Sequence, residues 1–117
     1  MAVTGIGGLF FRSKDPKALA AWYKLHFGIG AYDWTQSAGP TVFTPFDAAT
    51  DYFAADKAWM INFRVDELDA MLAALEGAGV EIVAKPEAEA SEYGRFARVH
   101  DPEGNAIELW EPAPDAD

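Results

Sequence analysis

His100-Asp101-Pro102-Glu103-Gly104-Asn105-Ala106-Ile107-Glu108-Leu109-Trp110 is the stretch whose reading decides the fold. Its centre, Asp101-Pro102-Glu103-Gly104, has the residue order of a type I turn, with Pro second and Gly fourth. The turn should join residues 95–100 and 105–110 as a strand hairpin. Successive side chains on a strand point to opposite faces, so Ala106, Glu108 and Trp110 share one face of the last strand.

Working back from the hairpin, residues 67–76 have helical spacing, with Leu68, Met71, Leu72 and Leu75 as the buried face. Asp66 stands at the capping position, and Gly77 and Gly79 end the helix. Strands are expected before it, at 59–65, and after it, at 81–84. The second half therefore reads β-α-β-β-β. An offset of 52 residues relates Phe63-Arg64 to Phe11-Arg12, and both pairs end a strand-like run that leads into a helix. In the first half the strand is 6–13 and the helix 16–27, with Asp15 as cap, Pro16 at the first position and Gly28 as the stop. Leu19, Trp22, Tyr23 and Phe27 recur at helical spacing. Strands at 31–36 and 41–46, with a short one at 51–54, complete the repeat. Residues 113–117 form a short acidic tail, expected to fray.

The composition narrows the function classes. Half of the 117 residues are hydrophobic and 14% are aromatic, which suffices for the core of one domain. No apolar run approaches the roughly 20 residues that cross a bilayer, and no segment has the pattern of a signal peptide. There is no cysteine, which removes disulfides, thiolate nucleophiles and sulfur-ligated metals and leaves the cytoplasm as the expected location. A formal net charge of −10 repels phosphate backbones and anionic lipid, so neither nucleic acid nor membrane is an expected partner.

Two stretches carry a family resemblance: Phe11-Arg12-Ser13-Lys14-Asp15-Pro16 before a helix with Trp22-Tyr23 and then Gly28, and the closing run from His100 to Trp110. Together they make the chain resemble the vicinal oxygen chelate superfamily of glyoxalase, bleomycin-resistance and extradiol-dioxygenase proteins. The resemblance implies an α+β fold in which two βαβββ modules form a curved mixed sheet around a cleft, with the helices outside. Residues 1–117 would make one such domain, with module 1 at about 5–55 and module 2 at about 58–112. It also implies a frequent homodimer, for which Tyr52 and Phe53 would suit a contact surface.

Many enzymes of that family hold a divalent metal with four protein ligands, two from each module. Carried over by position, those ligands fall at Gly8, near Val42 to Thr44, at Met60 and at Glu108. Glycine offers no side-chain donor, methionine is a poor ligand for hard ions, and only Glu108 is retained. No metal or other cofactor is therefore expected, and Glu108 reads as a pocket carboxylate paired with a cation such as Arg98. By strand parity and the family pattern, the cleft would present Phe10, Arg12, Met60, Asn62, Phe96, Arg98, Glu108 and Trp110. Such a mixture suits a small organic ligand carrying a carboxylate or phosphate. Phe46, Tyr52 and Phe53 are candidates for a lid, or for interface or core positions. His26 is read as a helix-end residue facing solvent, and His100 as a turn neighbour at the cleft mouth. Two rival functions stand beside a ligand-binding role. One is a metal-dependent lyase, isomerase or dioxygenase using Glu108 with non-standard ligands. The other is a bare interaction domain.

Overall fold

The structure, a computed structural model, describes residues 1–30 and 32–114. Its elements, in chain order, are α1 (Pro16–Phe27), β1 (Ile61–Arg64), α2 (Leu68–Gly77), β2 (Gly94–His100) and β3 (Ala106–Pro112). The three strands form a mixed sheet in the order β1-β3-β2, in which β1 runs parallel to β3 and β2 antiparallel to it. β3 is thus central, and its Ile107 and Leu109 are fully buried. Both helices pack on that face: Leu19 and Tyr23 of α1 and Leu68, Leu72 and Leu75 of α2 close a core with Ala97, Val99, Ile107 and Leu109. Each fully buried leucine or isoleucine there contributes about 1.5–3 kcal/mol from removed apolar surface.

The first helix begins and ends where its capping residues dictate. The Asp15 carboxylate accepts the Ala18 amide at 3.1 Å, and Gly28 closes the helix at φ 70°, donating to the Lys24 carbonyl at 3.0 Å. In α2 the expected cap at Asp66 is not used. The helix starts at Leu68, whose amide donates to Glu111 Oε2 at 2.9 Å, so a carboxylate from the end of β3 serves the helix start. Glu111 also lies near Arg95, whose guanidinium holds Asp69 of α2 at 3.0 Å.

The hairpin turn forms as expected, with the Gly104 amide on the Asp101 carbonyl at 3.0 Å and Gly104 at φ 82°. Asp101 is buried, and Tyr23 of α1 donates its hydroxyl to it at 2.7 Å. The Glu103 side chain of the same turn reaches back to the start of α1. It accepts the Ser13 hydroxyl at 2.7 Å and the Lys14 amide at 2.8 Å, which hold its carboxyl below the usual range. One turn therefore fixes both α1 and the last two strands.

The other strands predicted from sequence depart from this pattern. Residues 6–13, 32–36, 41–46 and 51–54 form no ladder, and Ala31 lies outside the described residues. Strands need hydrogen-bonded neighbours and a face to bury, and residues 1–12 are exposed throughout. Phe11, expected to match Phe63 on a strand, lies on none, although both rings pack edge-on against Tyr23. Residues 81–84 reduce to one bridge, Ala84 opposite Arg98. Pro86 follows closely and has no amide hydrogen with which to extend a ladder. Residues 115–117 of the acidic tail also lie outside the described residues.

Candidate functional site: a polar row on the open face of the sheet

Register and strand parity build the site. Asn62 stands opposite Glu108 across β1 and β3, and Arg98 stands opposite Glu108 across β2 and β3. Asn62, Glu108 and Arg98 therefore make one row across all three strands. Arg64, Trp110 and Phe96 make the next row on the same face. The alternate rows, Ile61-Ile107-Val99 and Phe63-Leu109-Ala97, face the helices. One face of the sheet is consequently core, and the other carries an amide, a carboxylate, guanidinium groups and two aromatic rings.

Glu108 is half-buried and engaged at both oxygens. Asn62 Nδ2 donates to Oε1 at 2.8 Å, and the Tyr52 hydroxyl donates to Oε2. Tyr52 arrives on a strap after a turn at Asp47, whose carboxylate accepts the Ala49 amide at 2.8 Å. The Arg98 guanidinium lies 4.6 Å from the centroid of the Tyr52 ring and donates to the Tyr52 carbonyl. Among the described residues Arg98 makes no ion pair with Glu108, contrary to expectation, because Tyr52 occupies the space where they would meet. Burial, then the hydrogen bond to Glu108, pushes the Tyr52 phenol up to about 12. Its hydroxyl is the donor in the bond to Glu108. Phe46 backs the strap, its ring 5.9 Å from those of both Tyr52 and Phe53. Tyr52 keeps 41% of its surface exposed while its hydroxyl reaches Glu108.

Beside the row lies a concavity of about 190 Å³, lined by Tyr52, Arg95, Phe96, Arg98, Glu108 and parts of the loop over residues 84–91. Phe96 and Trp110 stack nearly parallel at its side, with planes 2° apart and centroids 6.0 Å apart. The Trp110 indole is fixed by its hydrogen bond to the Tyr93 carbonyl at 2.7 Å. A larger depression of about 390 Å³ borders the end of α2, between Glu76 and Lys85, but it is shallow and presents no comparable set of polar groups.

Of the eight residues expected to share a cleft, Asn62, Phe96, Arg98, Glu108 and Trp110 come together. Met60 immediately precedes β1 and is half-buried. Phe10 and Arg12 do not join them: both are exposed on the N-terminal segment, because the strand that would have aimed them does not form. His100 ends β2 and is exposed, whereas His26 is half-buried against Trp22, its ring 4.9 Å away, rather than facing solvent. The direct bond from Tyr52 to Glu108 was not foreseen. Its sequence signal is faint, a tyrosine in an aromatic cluster behind an Asp-initiated turn.

The donor set does not fit a divalent ion. Glycine and methionine stand at two of the family's ligand positions, and none of residues 42–44 is an acid or a histidine, the nearby acids being Asp47 and Asp51. Both Glu108 oxygens are bonded to Asn62 and Tyr52, and Arg98 adds positive charge beside them. Among the described residues no three acidic or histidine side chains gather in a metal-binding group.

Comparison with known proteins places the chain. A segment of 56 residues, 48% of this chain, is 39% identical to "Putative glyoxylase CFP32" of Mycobacterium bovis and of Mycobacterium tuberculosis. That match covers 21% of the mycobacterial proteins, so the chain spans a minor part of their length. The fold resembles that of TnmS3, an antibiotic binding protein from Streptomyces sp. CB03234, with a TM-score of 0.61 and 22% identity over 97% of this chain and 99% of that one. It also resembles the virulence protein STM3117 of Salmonella typhimurium, with a TM-score of 0.59 and 17% identity over 97% and 100% of the two chains. The profile of the Glyoxalase/Bleomycin resistance protein/Dioxygenase superfamily matches residues 5–109, nearly the whole sequence, and the chain belongs to that superfamily.

Proposed function

We propose that the protein binds a small, planar, anion-bearing organic molecule on the face that carries Asn62, Glu108 and Arg98, without a full metal site. The observation behind this reading is the row itself: an acid, an amide and an arginine in register, beside a concavity lined by Phe96, whose ring stacks on Trp110. Aromatic walls with a few convergent polar groups are the usual make-up of a small-molecule site. Arg98 supplies positive charge for a carboxylate or phosphate, with Lys85 on a lining that also carries Glu87 and Glu89. The antibiotic-binding role stated for TnmS3, a protein of similar fold, points the same way.

The working unit of this reading is a homodimer in which the first half, about residues 5–55, completes a module equivalent to residues 58–112. The accessible surface is 9031 Å², whereas a folded monomer of 12.7 kDa exposes about 6,200 Å². The excess, roughly 2,800 Å² per chain, is as large as the surface that the most extensive obligate dimers bury. It is also apolar: Phe10 and Phe43 are 93% and 83% exposed, and Val3, Ile6 and Val42 are exposed with them. A second copy gives these segments the strand partners they lack. No helix among the described residues is long and apolar enough to cross a membrane, and a cysteine-free, acidic chain of this kind suits the cytoplasm.

Calorimetric titration with 2-naphthoate, a planar ring with one carboxylate, tests the binding reading. Saturable binding that weakens at least tenfold in Arg98→Ala supports it. No binding to the wild type, or binding indifferent to Arg98, rejects it. Elemental analysis of the same preparation separates this reading from a metal-dependent enzyme: one divalent ion per chain, lost in Glu108→Gln, would replace it with the enzymatic alternative.

A further inference from the structure

We propose that the ligand carries a phenolic hydroxyl, and that Tyr52 holds the place of that group until the ligand displaces it. The inference rests on the binding reading above and specifies its chemistry. Tyr52 meets two of the three polar groups of the row, Glu108 and Arg98. Its hydroxyl donates to Glu108, its ring lies under the Arg98 guanidinium, and its carbonyl accepts from Arg98. Asn62 holds the other oxygen of Glu108 at 2.8 Å and so aims the carboxylate at the phenol. The row is thus already shaped around a hydroxylated aromatic ring. An acceptor stands where the hydroxyl ends, and a cation stands over the ring face.

Nothing in the core requires this contact. Tyr52 is 41% exposed and lies on a strap outside every helix and strand. The strap's own hydrogen bonds, from Ala49 and Thr50 to Asp47, close a local turn before it reaches the sheet. A segment held this way detaches at lower cost than a strand of the sheet. Tyr52 keeps its proton at neutral pH as any phenol does, and its hydrogen bond to Glu108 favours that form further. A ligand phenol bound to the same carboxylate keeps its proton for the same reasons, and the exchange transfers none. A carboxylate in place of the hydroxyl would face Glu108 with like charge, so an acidic group on the ligand belongs at the Arg98 end of the row.

The proposal separates ligands by their hydroxyl. Three probes share one ring system: 2-naphthoate, 6-hydroxy-2-naphthoate and 2-naphthol. Each is titrated against the wild type, Tyr52→Phe and Glu108→Gln, with circular dichroism spectra to confirm folding. The added hydroxyl should tighten wild-type binding about tenfold, the size of one hydrogen bond to a charged group. Tyr52→Phe removes the competing hydroxyl and should tighten 6-hydroxy-2-naphthoate further. Glu108→Gln should erase the advantage of the hydroxyl. If 2-naphthoate binds and the hydroxyl adds nothing, or Tyr52→Phe weakens the hydroxylated probe, this inference falls and the binding reading stands. Failure of every probe overturns both. Equal binding of 2-naphthol and 6-hydroxy-2-naphthoate keeps the phenol and removes the anionic requirement.

Discussion

Replacing Asp101 by alanine should destabilise the protein more than any other single change in a turn. Its carboxylate accepts four hydrogen bonds: from the Tyr23 hydroxyl at 2.7 Å, the Glu103 and Asn105 amides at 2.9 and 3.0 Å, and Asn105 Nδ2 at 2.7 Å. The residue is 4% exposed and Tyr23 is 8% exposed, so water replaces few of these bonds. Leaving the buried Tyr23 hydroxyl unpaired costs about 1–3 kcal/mol, and each turn amide that loses its acceptor adds about 0.5–1.5 kcal/mol. The expected loss is about 3–5 kcal/mol, a large share of the roughly 5–15 kcal/mol that holds a domain together. Tyr23→Phe removes only a donor, and the acid keeps its other partners, so that change should cost about 1 kcal/mol. In the double variant no orphaned hydroxyl remains, and it should be no less stable than Asp101→Ala alone. Urea denaturation of all four proteins measures this directly. An Asp101→Ala loss below about 1 kcal/mol, or strict additivity in the double variant, would refute the reasoning.

Three further outcomes follow from the same contacts. Leu109→Ala, at the fully buried centre of β3, should cost about 2–5 kcal/mol in urea denaturation, the usual range for a cavity in a packed core. Gly94→Ala should cost at least about 1–3 kcal/mol in the same assay, because Gly94 sits at φ 119° and a methyl group there would press on the Glu111 carbonyl and lie 2.8 Å from the Ala113 nitrogen. Burial, then the bond to Asp101, raises the Tyr23 phenol above its ordinary value of 10.0. The native state keeps this proton while the unfolded chain loses it. The contribution is therefore complete below pH 10 and declines as pH rises toward the folded value, so thermal melts should fall more steeply above pH 10 in the wild type than in Tyr23→Phe.

Legibility in the sequence followed the range of the forces involved. α1, the hairpin turn and the parity of β3 are set by local chemistry: an Asp15 cap, a Pro16 start, a Gly28 stop, and the order of residues in Asp101-Pro102-Glu103-Gly104. Those features fixed which face Asn62, Phe96, Arg98, Glu108 and Trp110 share. Residues 6–13 and 41–46 have strand-like patterns too, but a strand forms only against a partner, and pattern alone does not supply one. Phe10 and Arg12 were misplaced for that reason. The cap of α2 passed to Glu111 because tertiary placement of β3 put a carboxylate beside the Leu68 amide. Tyr52 was equally out of reach, since its bond to Glu108 joins groups 56 residues apart through an irregular strap.

The central claim is that the face bearing Asn62, Glu108 and Arg98 is where a small molecule binds. Amide and side-chain NMR shifts during titration with 6-hydroxy-2-naphthoate test it most directly. The account predicts saturable shifts concentrated at the Asn62 side-chain amide, the Arg98 guanidinium, the Trp110 indole and the backbone around Tyr52, with the core residues Leu72, Leu75 and Val99 unmoved. Shifts confined to the depression between Glu76 and Lys85, or scattered over the surface without saturation, would contradict it.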